Sequence, residues 1–516
     1  MSTAPASQSS VPQLRILVAT EYLPPYVSGI ANRFKNLTNG YRDAGHIVTI
    51  SSVAGTACDM VVPSVPNPFY LEQRMFAFPP LLLLWQLVNP FSPVPYDIVH
   101  LVSPLCLPFV PLIPLFKLRG VKIYVSYHVL MEYYKEAYFY KKGRLMRLIG
   151  DFNELVYTYC YFVFLVWFAD VVGVPSRTAD SVVYKHAPRI HYMRSGLDTD
   201  VFVPRSGTTT SATSVSESTP SCREQEPSLP YTPLSPPSSP ASLASQSSPR
   251  SFSLNPPPLP PSLLSVPPPR SPDSGPTLIY VGRLAPEKNV QFLVAALAHP
   301  ALASSNTKLV IVGDGPAREQ LELLAAETVG CAHVYSRRSP ASNRRRRRRR
   351  SSISNLLAKR KHSFASLPTN AIDDENAPPQ ADAAAHHRII FTGAVLNEHK
   401  VAQHYARADV FVSASASETF GFTVAEALAC GTPAVVVREG AFKTVYRLID
   451  AWMFHEGDVD DFVEKIWTCF GDAGARTEAR RLAVTHFGVG LAVEDLLGMY
   501  DQVVRGKVLE SGNANG

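Results

Sequence analysis

Short apolar runs rich in Val and Ile recur along this chain at helix-length intervals, and the pattern occurs twice. In the first 204 residues the runs are LRILVAT (14–20), HIVTISS (46–52), DIVHLV (97–102), VKIYVSY (121–127) and DVVGV (170–174). After residue 276 they are TLIYVGR (277–283), KLVIVGDG (308–315), RIIFTG (388–393), DVFVSA (409–414) and TPAVVV (432–437). Strands that lack polar alternation and are separated by helices belong in a parallel sheet covered on both faces. The chain is therefore predicted to be α/β, with two units of similar design.

Two segments stand outside this pattern. Residues 205–276 hold 18 Pro and 20 Ser, too little apolar surface to offset the entropy of ordering, so a disordered linker with polyproline II character is predicted. Residues 333–387 hold 12 Lys and Arg against 4 Asp and Glu, an excess larger than the +6 of the whole chain. The positive charge thus belongs to one insert, read as an extruded loop, and not to a basic globular face. The predicted order is a disordered tail (1–13), an N-terminal domain (14–204), the linker (205–276), a C-terminal domain (277–490) interrupted by the insert, and a C-terminal helix and tail (491–516). A chain of 516 residues is long enough for two to four domains.

Seven scattered cysteines without a CxxC pair suit buried thiols in a reducing compartment, not a disulfide or zinc framework. The first residues lack the apolar core of a signal peptide, and no arginine precedes Arg15, which argues against a transit peptide. The longest apolar run, Leu155 to Ala169, falls short of the roughly 20 residues of a membrane span. A second run, Pro79 to Trp85, is shorter and suits an interface. These features predict a cytoplasmic protein in peripheral contact with membrane.

The strongest chemical constellation is Glu418-Thr-Phe-Gly-Phe-Thr-Val-Ala-Glu426. A helix is expected to begin near Phe420, with Gly431 and Pro433 as its stop. Glu418 then sits on the preceding loop and Glu426 within the helix. Gly421 allows close backbone approach, and a helix N-terminus offers free N–H groups to a phosphate. Carboxylates beside such a site suit sugar hydroxyls; the bland alternative is one solvated acid and one helix-face acid. Gly282-Arg283-Leu-Ala-Pro-Glu-Lys288-Asn289 follows a strand and precedes a helix. Arg283 and Lys288 fall at the ligand-binding edge of an open sheet, where cations offset a departing diphosphate, unless the turn is merely solvated. The loop Pro24 to Gly29 is a glycine-poor phosphate loop. His128 ends a strand at the same kind of edge, although an isolated His is more often structural. Asp314 in VGDGP is read as a turn residue.

In combination SETFGFTVAEALACGTPAVV, GRLAPEKN and VGDGP resemble glycosyltransferase family 4. That resemblance implies the GT-B fold: two Rossmann-like domains facing a cleft, with retaining transfer that needs no metal and no cofactor beyond a nucleotide-sugar donor. It implies that Glu418 contacts the donor sugar, Glu426 the ribose, Arg283 and Lys288 the diphosphate, and the amides of Phe422 and Thr423 a phosphate. SGIANRFKNL (28–37), VSYHVLMEYY (125–134) and DIVHLVSP (97–104) are further similar to the sulfolipid synthases of plants and cyanobacteria. That narrower resemblance carries over Ser28, Gly29, Asn32, Arg33 and His128. It implies UDP-sulfoquinovose as donor, a lipid such as diacylglycerol as acceptor, and the plastid envelope as an alternative location. Arg33 is the cation expected to face a sulfonate, and His128 is expected to hold the sugar from the other domain. The family's Gly-Gly-x-Pro loop before its last strand is replaced by Glu439-Gly-Ala-Phe-Lys-Thr444.

Two other readings remain open at this level. One is a family 4 hexosyl- or mannosyltransferase with another acceptor. The other is a non-catalytic interaction protein on a decayed transferase fold, supported by the Arg344–Arg350 run and the linker. Such a run suits anionic lipid or, less well here, nucleic acid. Ser351 and Ser352 beside it, and the Ser-Pro and Thr-Pro steps at Thr219, Thr232, Ser235, Ser239, Ser248 and Ser271, are candidate kinase sites.

Overall fold

The computed structural model describes residues 13–24, 29–53, 56–66, 74–103, 107–128, 143–155, 163–176, 187, 189–194, 196–205, 275–329, 333–334 and 388–506. Ser28, nearly all of the 205–276 linker, the Arg344–Arg350 run and its two serines lie outside these residues.

The strands of the first half are β1 (Arg15–Ala19), β2 (Ile47–Val53), β3 (Met60–Val62), β4 (Ser64–Pro66), β5 (Arg74–Phe76), β6 (Ile98–Ser103), β7 (Lys122–Tyr127), β8 (Val171–Val174) and β9 (Ile190–Tyr192). Between them come helices α1 (Gly29–Asp43), α2 (Leu81–Val88), α3 (Ile113–Leu118), α4 (Arg144–Glu154) and α5 (Val163–Phe168). β4 and β5 pair antiparallel; the other seven form one parallel sheet in the order β3-β2-β1-β6-β7-β8-β9. One face is covered by α2, α3 and α5 through Leu83, Leu87, Phe116 and Val166. The other is covered by α1 through Phe34, Leu37 and Tyr41. Helix α1 stops where the sequence supplies a glycine: Gly45 takes φ 88°, and the amides of Gly45 and His46 cap the carbonyls of Arg42 and Tyr41.

The second half holds β10 (Thr277–Val281), β11 (Lys308–Val312), β12 (His333–Val334), β13 (Ile389–Gly393), β14 (Val410–Ser413), β15 (Ala434–Val437) and β16 (Met453–Phe454). Its helices are α6 (Val290–Ala296), α7 (Pro300–Ser304), α8 (Arg318–Val329), α9 (Glu398–Arg407), α10 (Phe422–Ala429), α11 (Gly440–Val445), α12 (Val459–Gly471), α13 (Ala475–Phe487) and α14 (Val489–Val504). The strands again form one parallel sheet, ordered β12-β13-β11-β10-β14-β15-β16. Every residue of β14 and β15 is buried, as strands covered on both faces require.

The chain crosses between the halves twice within the described residues. Leu197 and Phe202 already pack into the second core, where Arg480 donates to the Phe202 carbonyl at 2.7 Å. Helix α14 returns the other way. Its Ala492, Leu496, Tyr500 and Val503 join the buried cluster of Leu14, Phe34 and Tyr41 in the first domain. The approach is close enough that a Cβ on Gly40 would come within 2.4 Å of Val493. Among the described residues no helix is long and apolar enough to cross a membrane.

Candidate active site

In the second sheet β11, β12 and β13 all lie on one side of β10, and the chain then crosses to β14 on its other side. The crevice between β10 and β14 is the switch point where open α/β sheets take ligands, beyond the carboxyl ends of the strands. The loop after β10 supplies Arg283 and Lys288; the loop after β14 supplies Glu418. Topology therefore brings together residues 130 positions apart: Lys288 Nζ lies 2.6 Å from Glu418 Oε1, with both side chains about four-fifths buried. Arg283 is exposed on the rim. The β10 loop is braced against the Gly313-Asp314-Gly315 turn by main-chain hydrogen bonds, the Leu284 amide donating to the Asp314 carbonyl at 3.0 Å. A Cβ at Gly313 would fall 1.9 Å from the Gly282 carbonyl, so the position requires glycine. Asp314 accepts from the Gly315 amide at 2.7 Å, as its turn reading anticipates, and also pairs with Arg318 at 3.1 Å.

Gly421 precedes α10 in the left-handed region, φ 84°, where a Cβ would meet the Phe442 ring at 2.5 Å. Its carbonyl accepts from Tyr446 Oη at 2.8 Å. The helix starts at Phe422, two residues later than the sequence suggests, and presents Phe422 and Thr423 half-buried in its first turn. Glu426 is buried one turn in. Its Oε2 accepts from Tyr405 Oη at 2.9 Å, which leaves Oε1 as the oxygen available to a ligand hydroxyl. Burial pushes this carboxyl up to about 7.

The first domain meets this site through α1 and the end of β7. Thr419 Oγ1 donates to the His128 carbonyl at 2.9 Å. Gly29, the first residue of α1, faces Phe422, whose ring would lie 3.0 Å from an added Cβ. Lys35 and Glu398 pair across the seam at 3.3 Å. Arg33 is buried, its guanidinium 5.1 Å from the ring centroid of Phe420 and 4.7 Å from that of Phe422, a double cation–π contact. Asn32 beside it is half-buried.

Both ring nitrogens of His128 are engaged within the protein: Nδ1 with Arg33 at 3.3 Å and Nε2 with Ser126 Oγ at 3.0 Å. Burial, then the Arg33 charge, holds this imidazole well below the usual histidine range, so it is neutral. The structure thus gathers Lys288, Glu418, Phe422, Thr423, Glu426, Gly29, Arg33 and His128 around one seam. Sequence reasoning did not single out Thr419, Phe420, Tyr405 or Ser126. Phe420 and Thr419 carried a signal, since both lie inside the glutamate motif.

Two models of the family described as "Glycosyl transferases group 1" match residues 266–335 and 371–472. Sulfoquinovosyl transferase SQD2 of Arabidopsis thaliana is 23% identical over 484 residues, spanning 90% of this chain and 68% of that protein. GDP-mannose-dependent alpha-(1-6)-phosphatidylinositol dimannoside mannosyltransferase of Mycobacterium tuberculosis is 29% identical over 168 residues, 33% of this chain and 29% of that enzyme. The chain thus aligns with under a third of that second relative. Sucrose-phosphate synthase from Thermosynechococcus elongatus superposes with a TM-score of 0.52 at 14% identity, covering 96% of this chain and all of that one. With two parallel sheets of Rossmann-like strand order, and group 1 sequence in the second, the chain is a glycosyltransferase of the GT-B fold.

Proposed function

We propose that the chain transfers a sugar, with retention and without a metal, from a UDP-linked donor to a hydroxyl of a membrane lipid such as diacylglycerol. The observation that carries the reading is the Lys288–Glu418 pair at the β10/β14 switch point, beside the N-terminus of α10. There Lys288 and Arg283 offset the charge of the departing diphosphate, and the amides of Phe422 and Thr423 take a phosphate oxygen. Glu418 orients the donor sugar, and Glu426 Oε1 accepts from a ribose hydroxyl. The bond from the anomeric carbon to the diphosphate breaks with its electron pair leaving on UDP. The acceptor oxygen bonds to that carbon on the same face, and its proton passes to a phosphate oxygen. Closure of the seam excludes water, which otherwise takes the acceptor's place.

Two unpartnered helix faces support a lipid acceptor and peripheral membrane contact. On α4, Leu145, Leu148, Ile149 and Phe152 recur at helical spacing and are all exposed. On α2, Leu81, Leu82, Trp85 and Val88 face outward while Leu83 and Leu87 face the core. Helix α4 follows β7, the strand after which His128 comes at once. Large apolar side chains left in water at this density suit a bilayer surface. Of the two relatives named above, the mannosyltransferase carries phosphatidylinositol dimannoside in its name, which supports a lipid acceptor.

A neutral donor such as UDP-glucose or UDP-galactose is the second reading, favoured by the placement of Arg33. The cation expected to meet a sulfonate is enclosed by Phe420 and Phe422. The deciding experiment incubates the full chain with UDP-sulfoquinovose, UDP-glucose, UDP-galactose or GDP-mannose and diacylglycerol vesicles. A glycolipid product from one UDP-sugar supports the reading. Product only from GDP-mannose, or from none, refutes it.

A further inference from the structure

A buried hydrogen-bond chain leads from the seam to the crossover helix, and the chemistry of its members gives it a single direction. Arginine only donates, so Nδ1 of His128, 3.3 Å from Arg33, must be an acceptor. The neutral imidazole then carries its proton on Nε2 and donates to Ser126 Oγ at 3.0 Å. The Ser126 hydroxyl, 2.7 Å from His100 Nε2, donates onward. His100 therefore holds its proton on Nδ1 and donates to Tyr500 Oη at 2.5 Å. Tyr500 in turn faces Tyr41 Oη at 3.4 Å. Arg33, His128, Ser126, His100, Tyr500 and Tyr41 are all buried, so no solvent competes for any of these bonds. Burial, then the neighbouring His191 and Arg33, push His100 down to about 3, which keeps this imidazole neutral as well.

We propose that Tyr500 and His100 are positioning residues: Arg33 sets the tautomer of His128, and the chain through Ser126, His100 and Tyr500 fixes the orientation of its ring, and with it the seat of Arg33. The inference rests on the reading of the seam as the site of glycosyl transfer. Its physical basis is that one orphaned member can turn the next. Without the Tyr500 hydroxyl, the Nδ1 proton of His100 has no acceptor in a dry site. The His100 proton then moves to Nε2 and takes one lone pair of Ser126 Oγ, so the Ser126 hydroxyl turns away from His100 and its proton crowds the Nε2 proton of His128. Arg33 is anchored between Phe420 and Phe422, and the His128 carbonyl accepts from Thr419, so a change in either residue reaches the loop that carries Glu418.

The test is histidine-labelled full-length protein read by two-bond proton–nitrogen correlation, comparing wild type, Tyr500→Phe and Ser126→Ala, with steady-state kinetics on each. In wild type His128 should be the single Nε2–H tautomer and His100 the single Nδ1–H tautomer. Tyr500→Phe should shift His100 toward Nε2–H and lower kcat about 2- to 10-fold, the effect of losing one net hydrogen bond, with KM for the nucleotide sugar nearly unchanged. The nucleotide groups lie on the other domain, so simple destabilisation would not produce that split. Ser126→Ala breaks the chain one link nearer the seam and should move the His128 Nε2–H signal while Arg33 keeps the proton off Nδ1, which decides the matter should Tyr500→Phe fail to fold. An unchanged His100 tautomer in Tyr500→Phe, or an unmoved His128 signal in Ser126→Ala, overturns the proposal whatever the activity. Tautomer shifts in a protein that transfers no sugar support the chain and refute the transfer reading instead.

Discussion

Glu418 Oε1 and Lys288 Nζ lie 2.6 Å apart and neutralise each other. On the proposed function a donor separates the pair: the diphosphate draws the ammonium and the sugar hydroxyls draw the carboxylate. Lys288→Ala and Glu418→Gln should each lower transfer about 10²- to 10³-fold, the usual effect of one lost preorganised polar contact. Each single change also leaves the other group without its partner in a mostly buried place, so the Lys288→Met/Glu418→Gln double variant should melt above either single one. Wild-type turnover in both single variants would remove the assigned roles; thermal unfolding checks the second part.

Glu426 gives the protein a pH signature. Its carboxyl is pushed up to about 7 by burial, from an ordinary value of 4.5. A ribose hydroxyl donates to the ionised form, so UDP should bind more weakly as pH falls through that value. Stability has the opposite slope. Between 4.5 and about 7 the folded protein holds a proton that the unfolded chain has released, so stability falls across this window as pH rises and then levels off. Glu426→Gln should flatten both dependences. Calorimetric titration of UDP and melting curves from pH 5 to about 8 measure them; a variant that keeps the wild-type pH slope would assign the ionisation elsewhere.

Arg33→Ala should reduce transfer alike from UDP-sulfoquinovose and from UDP-glucose, because the guanidinium braces Phe420 and Phe422 instead of facing open cleft. The comparison is kcat/KM for the two donors. A loss confined to the sulfonated donor would restore Arg33 as its selector.

The exposed helix faces should govern access to lipid without touching the chemistry. Leu148→Ser/Phe152→Ser on α4, and Leu82→Ser/Trp85→Ser on α2, should each weaken vesicle binding at least about tenfold, since each side chain contributes roughly 1.5–3 kcal/mol on burial. Hydrolysis of the donor in solution should be unchanged. Vesicle co-sedimentation at two salt concentrations also tests Arg344–Arg350, whose share should vanish at high salt and fall in part with Ser351/Ser352→Asp. Binding that survives all of these changes would leave the helix faces without this role.

Much of the fold is legible because its strands are buried on both faces. DVFVSA and TPAVVV contain β14 and β15, and no polar alternation blurs them. The three-residue β3 and β9 and the two-residue β16 are missed because so short a stretch has no period to detect. The Lys288–Glu418 part of the site is legible for a related reason: both residues sit on loops that follow neighbouring strands, so strand order brings them together. The seam is not. Arg33 between two phenylalanines, and His128 tied to Ser126, depend on how one domain meets the other, which no local pattern encodes. His100 sits in an apolar strand, where a histidine with satisfied bonds reads the same as one with a role. Tyr500 looks like any core-facing aromatic of an amphipathic helix until α14 is seen against the first sheet.

That return of α14 bears on how the protein is made. Ribosomal synthesis delivers the first domain's strands early, and domains ordinarily fold in the order in which they emerge. Here the groove along α1 stays open, with Phe34 and Tyr41 short of their packing partners, until residues 489–504 arrive. The domain translated first is completed last. A chain interrupted just before α14 would carry an intact Lys288–Glu418 pair and an unfinished first domain, so nonsense changes near the end of the message should resemble loss of the beginning.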